Sequence, residues 1–430
     1  QKIKKYAIMD NMSKYVITGQ AKLTGEIAVT GAKNAALKAI AASVLTDQPC
    51  VIKNCPDIED VRRLTDILTD LGAIINWQGN ALTINNRPIK KANPDPKLVK
   101  KLRSSIMLAG PLLARFGEVT LAHPGGCIIG QRPIDMFLAG FEKMGATIND
   151  QQTEDCYTLT AKQLTGAKII LPWISVTVTE SLMLTACLAR GVTTIINAAM
   201  EPEIPALADY LNRQGAKISG AGTPRITIEG VSALTGGEIE IIPDRIEAGS
   251  FAIMGLATNS SIKITHCRPE HLETVISTLE RAGARLTVGP DYIITEPSQL
   301  RATELRTHEY PGFPTDLQAP FAVLMTQAKG QSLIHETIYD GRLFYTDKLK
   351  QMGANIIMCD PHRVIITGPT ELYGRQLESP DLRAGMALLI AGLIATGQTT
   401  IDNVYQIERG YENIVNRLRA LGAAIKKIAD

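Results

Sequence analysis

A helix-ending phrase recurs six times along the chain: Asp70-Leu71-Gly72-Ala73, Lys143-Met144-Gly145-Ala146, Arg213-Gln214-Gly215-Ala216, Arg281-Ala282-Gly283-Ala284, Gln351-Met352-Gly353-Ala354 and Ala420-Leu421-Gly422-Ala423. Its glycines stand at 72, 145, 215, 283, 353 and 422, at intervals of 73, 70, 68, 70 and 69 residues, so six units of roughly 70 residues account for all 430. A fixed period means one supersecondary unit repeated, each copy burying its apolar face against its neighbours.

Residues at helical spacing precede each phrase, such as Val61, Leu64, Leu68 and Leu71, or Leu272, Val275, Ile276 and Leu279, which predicts an amphipathic helix. Glycine then supplies the left-handed residue that closes it. An apolar strand follows, as in Ala216-Lys217-Ile218 or Ala354-Asn355-Ile356-Ile357. Upstream in each copy lies a second helix, apolar nearly all round and so predicted to be buried. It ends at Gly117, Gly191, Gly330 or Gly397 in four copies, and Gln48 and Asn259 take that place in the other two. A strand (Val192 to Ile196, Ser261 to Ile264, Thr399 to Ile401), a variable loop and the amphipathic helix complete the unit. Alternating strands and helices predict an α/β class, assembled as two lobes of three units with the apolar helices inside.

Composition narrows the function. Lys+Arg (45) and Asp+Glu (43) nearly cancel to +2, so no field of one sign points to nucleic acid. The longest apolar stretch, Ala384 to Thr396, is broken by Gly385 and Gly392; it falls short of the roughly 18 residues of a membrane span and predicts a buried helix. Gln1 to Asp10 carries charges without an apolar signal core, and Met9 and Met12 are candidate natural first residues. Seven scattered cysteines fit a reducing cytosol, so a cytoplasmic location is expected. No His or Cys cluster has metal-ligand spacing and no Gly-rich phosphate-cradling loop ends in Lys-Ser or Lys-Thr, so no metal, nucleotide hydrolysis or dinucleotide chemistry is expected.

The period also locates candidate chemistry. From the end of each buried helix to the repeat glycine the spans are 24, 28, 24, 24, 23 and 25 residues. The second unit alone carries about four extra residues, in the loop from His123 through Gly125-Gly126-Cys127 to Arg132-Pro133. A glycine-rich insertion in a regular scaffold suggests a functional loop. Arginines and loop amides around Cys127 would lower its thiol pKa, which makes it a candidate nucleophile or proton donor.

Counting 14 residues back from the end of each buried helix gives Asn34, Arg103, Thr177, Arg245, Asp316 and Arg383; Lys33 adjoins the first, Asp244 the fourth, and Asp381 precedes the last by two. Cations are disfavoured at a helix N-terminus. Several placed so in register point to an anion held jointly by amide N–H groups and basic side chains. Simple N-capping is the competing reading for Ser379-Pro380-Asp381 and Thr315-Asp316. Arg132, Arg342 and Arg409 are further basic candidates, with surface salt bridges as the alternative, whereas Lys97, Lys100 and Lys101 read as a solvated helix face.

Gly31-Ala32-Lys33-Asn34-Ala35, Pro124-Gly125-Gly126-Cys127 through Arg132-Pro133, Pro311-Gly312-Phe313-Pro314-Thr315-Asp316, Asp381-Leu382-Arg383 and Glu408-Arg409-Gly410-Tyr411-Glu412 occur in this order. Together they resemble the UDP-N-acetylglucosamine 1-carboxyvinyltransferase family of enolpyruvyl transferases, from about Lys14 to the C-terminus. The resemblance implies an inside-out α/β barrel of two lobes, one of residues 12–32 plus 243–430 and the other of 33–242. It implies transfer of enolpyruvyl from phosphoenolpyruvate to the 3-hydroxyl of UDP-N-acetylglucosamine, releasing phosphate, without metal or cofactor. It also implies the first committed step of peptidoglycan synthesis, linked to cell shape and division and targeted by fosfomycin, with no nucleic-acid or membrane partner.

By the same resemblance, Lys33, Arg132 and Arg409 would hold the phosphate of phosphoenolpyruvate, Arg342 and Arg383 its carboxylate, and Arg103 the basic floor. Cys127 would protonate the methylene carbon and can form a covalent adduct; Asp316 would be the base beside the sugar hydroxyl. Asn34 would contact the sugar; Arg132, Pro133, Ile134, Asp135, Met136, Ser175 and Val176 would line the uridine and diphosphate, and Ile338 and Asp381 would complete the substrate site. Two positions depart from the family pattern: Thr177-Val178-Thr179 replaces the usual Gly-Ala-Thr, and Trp173 stands where a lysine occurs in relatives. The alternatives are an enolpyruvylshikimate phosphate synthase and a non-catalytic nucleotide-sugar-binding regulator. The Pro-Gly-Gly-Cys loop argues against the first, and intact Lys33, Cys127, Asp316 and Arg409 against the second.

Overall fold

The computed structural model describes residues 13–125, 134–153 and 156–429. They form two compact units, a middle unit within residues 31–242 and a terminal unit of residues up to 30 plus those from 243 onward. Where the chain passes between them, the Ala32 N–H donates to the Ile242 carbonyl at 2.8 Å.

In the middle unit the buried helices are Lys33–Ser43 (α1), Ala109–Phe116 (α3) and Val176–Ala186 (α5), and the amphipathic helices are Glu59–Asp70 (α2), Asp135–Lys143 (α4) and Glu203–Arg213 (α6). In the terminal unit the buried helices are Arg245–Ala257 (α7), Gln318–Met325 (α9) and Leu382–Ile394 (α11), and their amphipathic partners are Glu273–Arg281 (α8), Thr346–Gln351 (α10) and Ile414–Ala420 (α12). The 3₁₀ turns Arg103–Leu108 and Thr315–Leu317 lead into α3 and α9. All six repeat glycines are left-handed, with φ between +88° and +106°, a region that costs other residues steric strain. Gly117 caps α3, and Gly191, Asn259, Gly330 and Gly397, a few residues beyond the ends of the other buried helices, are left-handed too. Gln48 holds the corresponding place after α1 without a positive φ.

Sheet topology explains where the helices lie. A short strand, a buried helix and a parallel partner strand make a crossover at Lys168–Ile170/Val192–Ile196, Leu305–Arg306/Gly330–His335 and Gln376–Glu378/Gln398–Asp402. At the two chain crossings the parallel strand comes from elsewhere in the sequence: Gly237–Glu240 pairs with Cys50–Lys53, and Thr24–Ala28 with Ser261–Thr265. The N-terminal strand Lys14–Thr18 lies antiparallel between Gln398–Asp402 and Ile425–Ile428 and supplies the inner hairpin strand of the last sheet. Among the described residues, five sheets have four strands and a sixth, of Glu118–Ala122, Cys156–Thr160 and Thr147–Thr153, has three.

Each unit encloses its own apolar core, and the two cores share no residue. In the terminal core α7, α9 and α11 pack on one another, and every residue of α11 from Leu382 to Leu393 is buried. Each large apolar side chain so enclosed contributes about 1.5–3 kcal/mol of transfer free energy. Among the described residues no helix is long and apolar enough to cross a membrane; the stretch from Ala384 belongs to α11.

Close helix approach depends on Gly110 of α3, where an added Cβ would come within 2.0 Å of Thr185 Oγ1 on α5. Gly110→Ala should therefore destabilise the middle unit by about 1–3 kcal/mol despite the better helix propensity of alanine, read as a lower denaturant midpoint. Adding Thr185→Ala, which removes the obstructing hydroxyl, should recover most of that loss.

Candidate active site

The register read from the repeats holds in three dimensions. Asn34, Thr177, Asp316 and Arg383 are each the second residue of a helix or 3₁₀ turn, and Arg103 and Arg245 are each the first. The buried helices thus bring their positive ends and several cations to equivalent places in each unit.

In the terminal unit these starts build one charged cluster. Asp316 Oδ1 accepts from Arg342 Nη2 at 2.6 Å, and its Oδ2 accepts from Arg383 Nε at 2.9 Å and lies 2.8 Å from Arg383 Nη2. Both guanidinium side chains are nearly inaccessible, while the aspartate side chain is 25% exposed. Burial alone would push the Asp316 carboxyl up, but Arg383 and Arg342 outweigh it and hold the group well below the usual carboxylate range. Burial likewise opposes the charge on Arg383 and Arg342, and Asp316 reverses the balance, so both are held more firmly protonated. Arg383 Nη1 also donates to Tyr411 Oη at 3.3 Å, and that oxygen sits 3.1 Å from Ser250 Oγ. Asp316 therefore does not cap its helix, whereas Asp381 and Asp244 do. Asp381 accepts from the Arg383 and Ala384 amides at 2.8 and 3.0 Å, and Asp244 from those of Ile246 and Glu247 at 2.8 and 3.1 Å. Arg342 is a buried partner of Asp316 instead of one arm of a surface salt bridge. Arg245 is half-buried over the Tyr310 ring, and Arg409, at the end of the short helix Tyr405–Glu408, donates to Gln406 Oε1 at 3.1 Å.

The middle unit has a basic group of its own. Lys33 opens α1 and its Nζ lies 2.5 Å from Asp60 Oδ2, with both side chains largely buried. Arg103 donates to the Pro124 carbonyl at 3.2 Å and so fastens the base of the inserted segment. Ser175 caps α5 and Asp135 stands in the first turn of α4. Trp173 is 57% exposed, and Lys97, Lys100 and Lys101 are solvated as expected. The thiols of Cys187 and Cys267 are pushed up by burial to about 12 and about 11, so neither is poised to react.

Comparison with known proteins decides the family. The EPSP synthase (3-phosphoshikimate 1-carboxyvinyltransferase) family pattern matches residues 17–418. The UDP-N-acetylglucosamine 1-carboxyvinyltransferase of Desulfosudis oleivorans is 42% identical over 419 residues, covering 97% of this chain and 100% of the relative. The UDP-N-acetylglucosamine 1-carboxyvinyltransferase 1 of Carboxydothermus hydrogenoformans is 44% identical over 418 residues, 97% of this chain and 99% of that one. The chain belongs to the UDP-N-acetylglucosamine 1-carboxyvinyltransferase family. Its fold is that of the enolpyruvyl transferases: the enolpyruvyl transferase NikO from Streptomyces tendae matches with a TM-score of 0.88 at 26% identity, over 97% of this chain and 99% of that one. EPSP synthase from Acinetobacter baumannii shares the fold, at a TM-score of 0.74 and 19% identity over 97% and 99% of the two chains.

For this family member, Cys127, Arg132 and Pro133 lie outside the described residues. Among those described, Asp316, Arg342 and Arg383 come together in the terminal unit, beside Asp381 as helix cap. Lys33, Asn34, Arg103, Ile134, Asp135, Met136, Ser175 and Val176 stand in the middle unit. The residues reached only through the structure are the carboxylates beside these groups. Asp60 reads in sequence as an ordinary first-turn helix acid, and Glu336, which accepts from the Ile338 amide at 2.8 Å, carries no periodic signal at all.

Because its folded pKa lies below the unfolded value, Asp316 contributes stability that is fully present above about pH 4 and is lost as pH falls toward the folded value. Asp316→Asn should accordingly unfold at lower denaturant than the parent at pH 7, with the gap narrowing below about pH 4. A gap independent of pH would show that the carboxylate is not held by its arginines.

Proposed function

We propose that this chain transfers enolpyruvyl from phosphoenolpyruvate to the 3-hydroxyl of UDP-N-acetylglucosamine, releasing phosphate, as the first committed step of peptidoglycan synthesis in the cytoplasm. Cell shape and division would depend on it. The observation that carries this reading is the buried Asp316–Arg342–Arg383 cluster, in a chain whose full-length relatives bear that enzyme's name.

In the proposed reaction the sugar oxygen bonds to C2 of phosphoenolpyruvate while C3 gains a proton, giving a tetrahedral ketal. The ketal then loses a C3 proton, the C2–C3 double bond re-forms and the C2–O bond to phosphate breaks. Asp316 would take the hydroxyl proton and Cys127 would supply the carbon proton. Lys33, Arg132 and Arg409 would take the phosphate, with Arg103 beside them. Asn34 would meet the sugar, and Ile134 to Met136 with Ser175 and Val176 would meet the nucleotide. Proton transfer and charge neutralisation by side chains suffice; the proposal needs no metal or cofactor.

The cluster suggests how the base is switched on. With two arginines on it, Asp316 is too weak an acceptor to deprotonate a hydroxyl. A substrate carboxylate that takes over Arg383 and Arg342 would remove both stabilising interactions and leave burial to raise the Asp316 pKa. Substrate binding would thus create the base at the moment it is needed.

The direct test is phosphate release with both substrates. Turnover with shikimate 3-phosphate but not UDP-N-acetylglucosamine would overturn the reading, and calorimetric binding of the sugar nucleotide without turnover would favour a regulator. Asp316→Asn should retain binding and lose about 10²–10⁴-fold in kcat; near-normal turnover would remove Asp316 from the role of base. Cys127→Asp should remain active, since a carboxylic acid also protonates carbon, and should resist fosfomycin. Inhibition of that variant by the drug would place alkylation elsewhere.

A further inference from the structure

Glu336 follows the strand Gly330–His335 and is completely buried, yet the proposed reaction makes no use of it. A carboxylate inside a protein needs donors to replace its water. Four are aimed at it: Oε1 accepts from Thr307 Oγ1 at 3.1 Å and from the Ile338 and Tyr339 amides at 2.8 and 3.3 Å, and Oε2 accepts from Thr315 Oγ1 at 2.9 Å. Four donors on two oxygens satisfy the buried carboxyl group. They come from three separate segments. Thr307 follows the strand Leu305–Arg306, Thr315 adjoins Asp316, and Ile338 and Tyr339 open the loop that carries Arg342.

The anchor is itself held. The Glu336 amide donates to the His362 carbonyl at 2.8 Å, and its own carbonyl lies 3.1 Å from His362 Nδ1. Thr337 repeats the link to Thr307: its amide donates to Thr307 Oγ1 at 2.9 Å and its hydroxyl to the Thr307 carbonyl at 2.6 Å. One carboxylate therefore ties the turn presenting Asp316 to the loop presenting Arg342, the two ends of a 2.6 Å ion pair.

We propose that Glu336 is a positioning residue of the transfer site, fixing Asp316 against Arg342 through Thr315 and the Ile338–Tyr339 amides. This rests on the reading of Asp316 and Arg342 given above. A misplacement of 1 Å at a reacting group costs about 10²-fold in rate, so a site of this kind needs supports whose own contacts are complete.

The test compares Glu336→Ala, Glu336→Gln and Thr315→Val with the parent, in the full chain, by steady-state kinetics and by ¹³C NMR of the Asp316 carboxyl in the free protein. Glu336→Ala should lower kcat by about 10²-fold and leave KM for UDP-N-acetylglucosamine unchanged. Glu336→Gln, whose amide oxygen still accepts from the two backbone amides, should recover most of that loss. In the parent, Asp316 should stay ionised until acid unfolding; in Glu336→Ala, with Arg342 loosened, it should protonate before the protein unfolds. Thr315→Val cuts one arm only and should move kcat and the titration in the same direction, which decides the matter if the alanine variant does not fold. A folded Glu336→Ala or Thr315→Val variant with parental kcat and parental Asp316 titration overturns the proposal, as does a folded glutamine variant no better than alanine. A parent that releases no phosphate would sink the functional reading instead, while the carboxyl titration would still judge Glu336.

Discussion

A helix that is apolar nearly all round is stable only when it is surrounded, and the described residues hold six of them. Each unit meets that demand by wrapping three such helices in amphipathic helices and small sheets around a single core. The walls of these helices are closed to chemistry, as the unbroken burial of α11 from Leu382 to Leu393 shows. Their starts are not. Because the repeat is regular, equivalent starts recur in register, and in the terminal unit they hold Arg245, Asp316 and Arg383.

Cations at the positive ends of helices are an electrostatic cost. The caps Asp244 and Asp381 offset part of it, and Asp316 offsets more by lying between two buried guanidiniums. Of the acids around Arg342 and Arg383, Asp316 is the one that contacts both guanidiniums. In the proposed function, an anionic substrate would take its place on them, and the aspartate is both the stand-in for the substrate and the group freed when it arrives. Burial keeps Cys187 and Cys267 protonated.

Much of the fold was legible because it is periodic. The glycine spacing gave six units, and each repeat glycine is left-handed as the closing of its helix required. The count of 14 residues back landed on the first or second residue of each buried helix or of the 3₁₀ turn that leads into it. Gln48 holds the place after α1 that a left-handed residue holds after the other buried helices, without a positive φ of its own. The partners of the charged groups could not be read in this way. Asp60 and Glu336 are brought to Lys33 and to the Asp316 turn by tertiary folding, and Glu180, fully buried against Lys38 at 3.0 Å, hides within a helix that otherwise looks apolar. Capping and anion binding stayed open for Asp316 in sequence because both use an acid at a helix start; only the arginine contacts separate them.

The central claim is that Asp316 occupies the arginines in place of substrate. It is tested most directly by calorimetric binding of phosphoenolpyruvate to Asp316→Asn and to the parent, both carrying Cys127→Ala so that no covalent adduct forms. If the aspartate competes for Arg342 and Arg383, removing its charge tightens phosphoenolpyruvate binding even as turnover is lost. Unchanged or weaker binding would contradict the account.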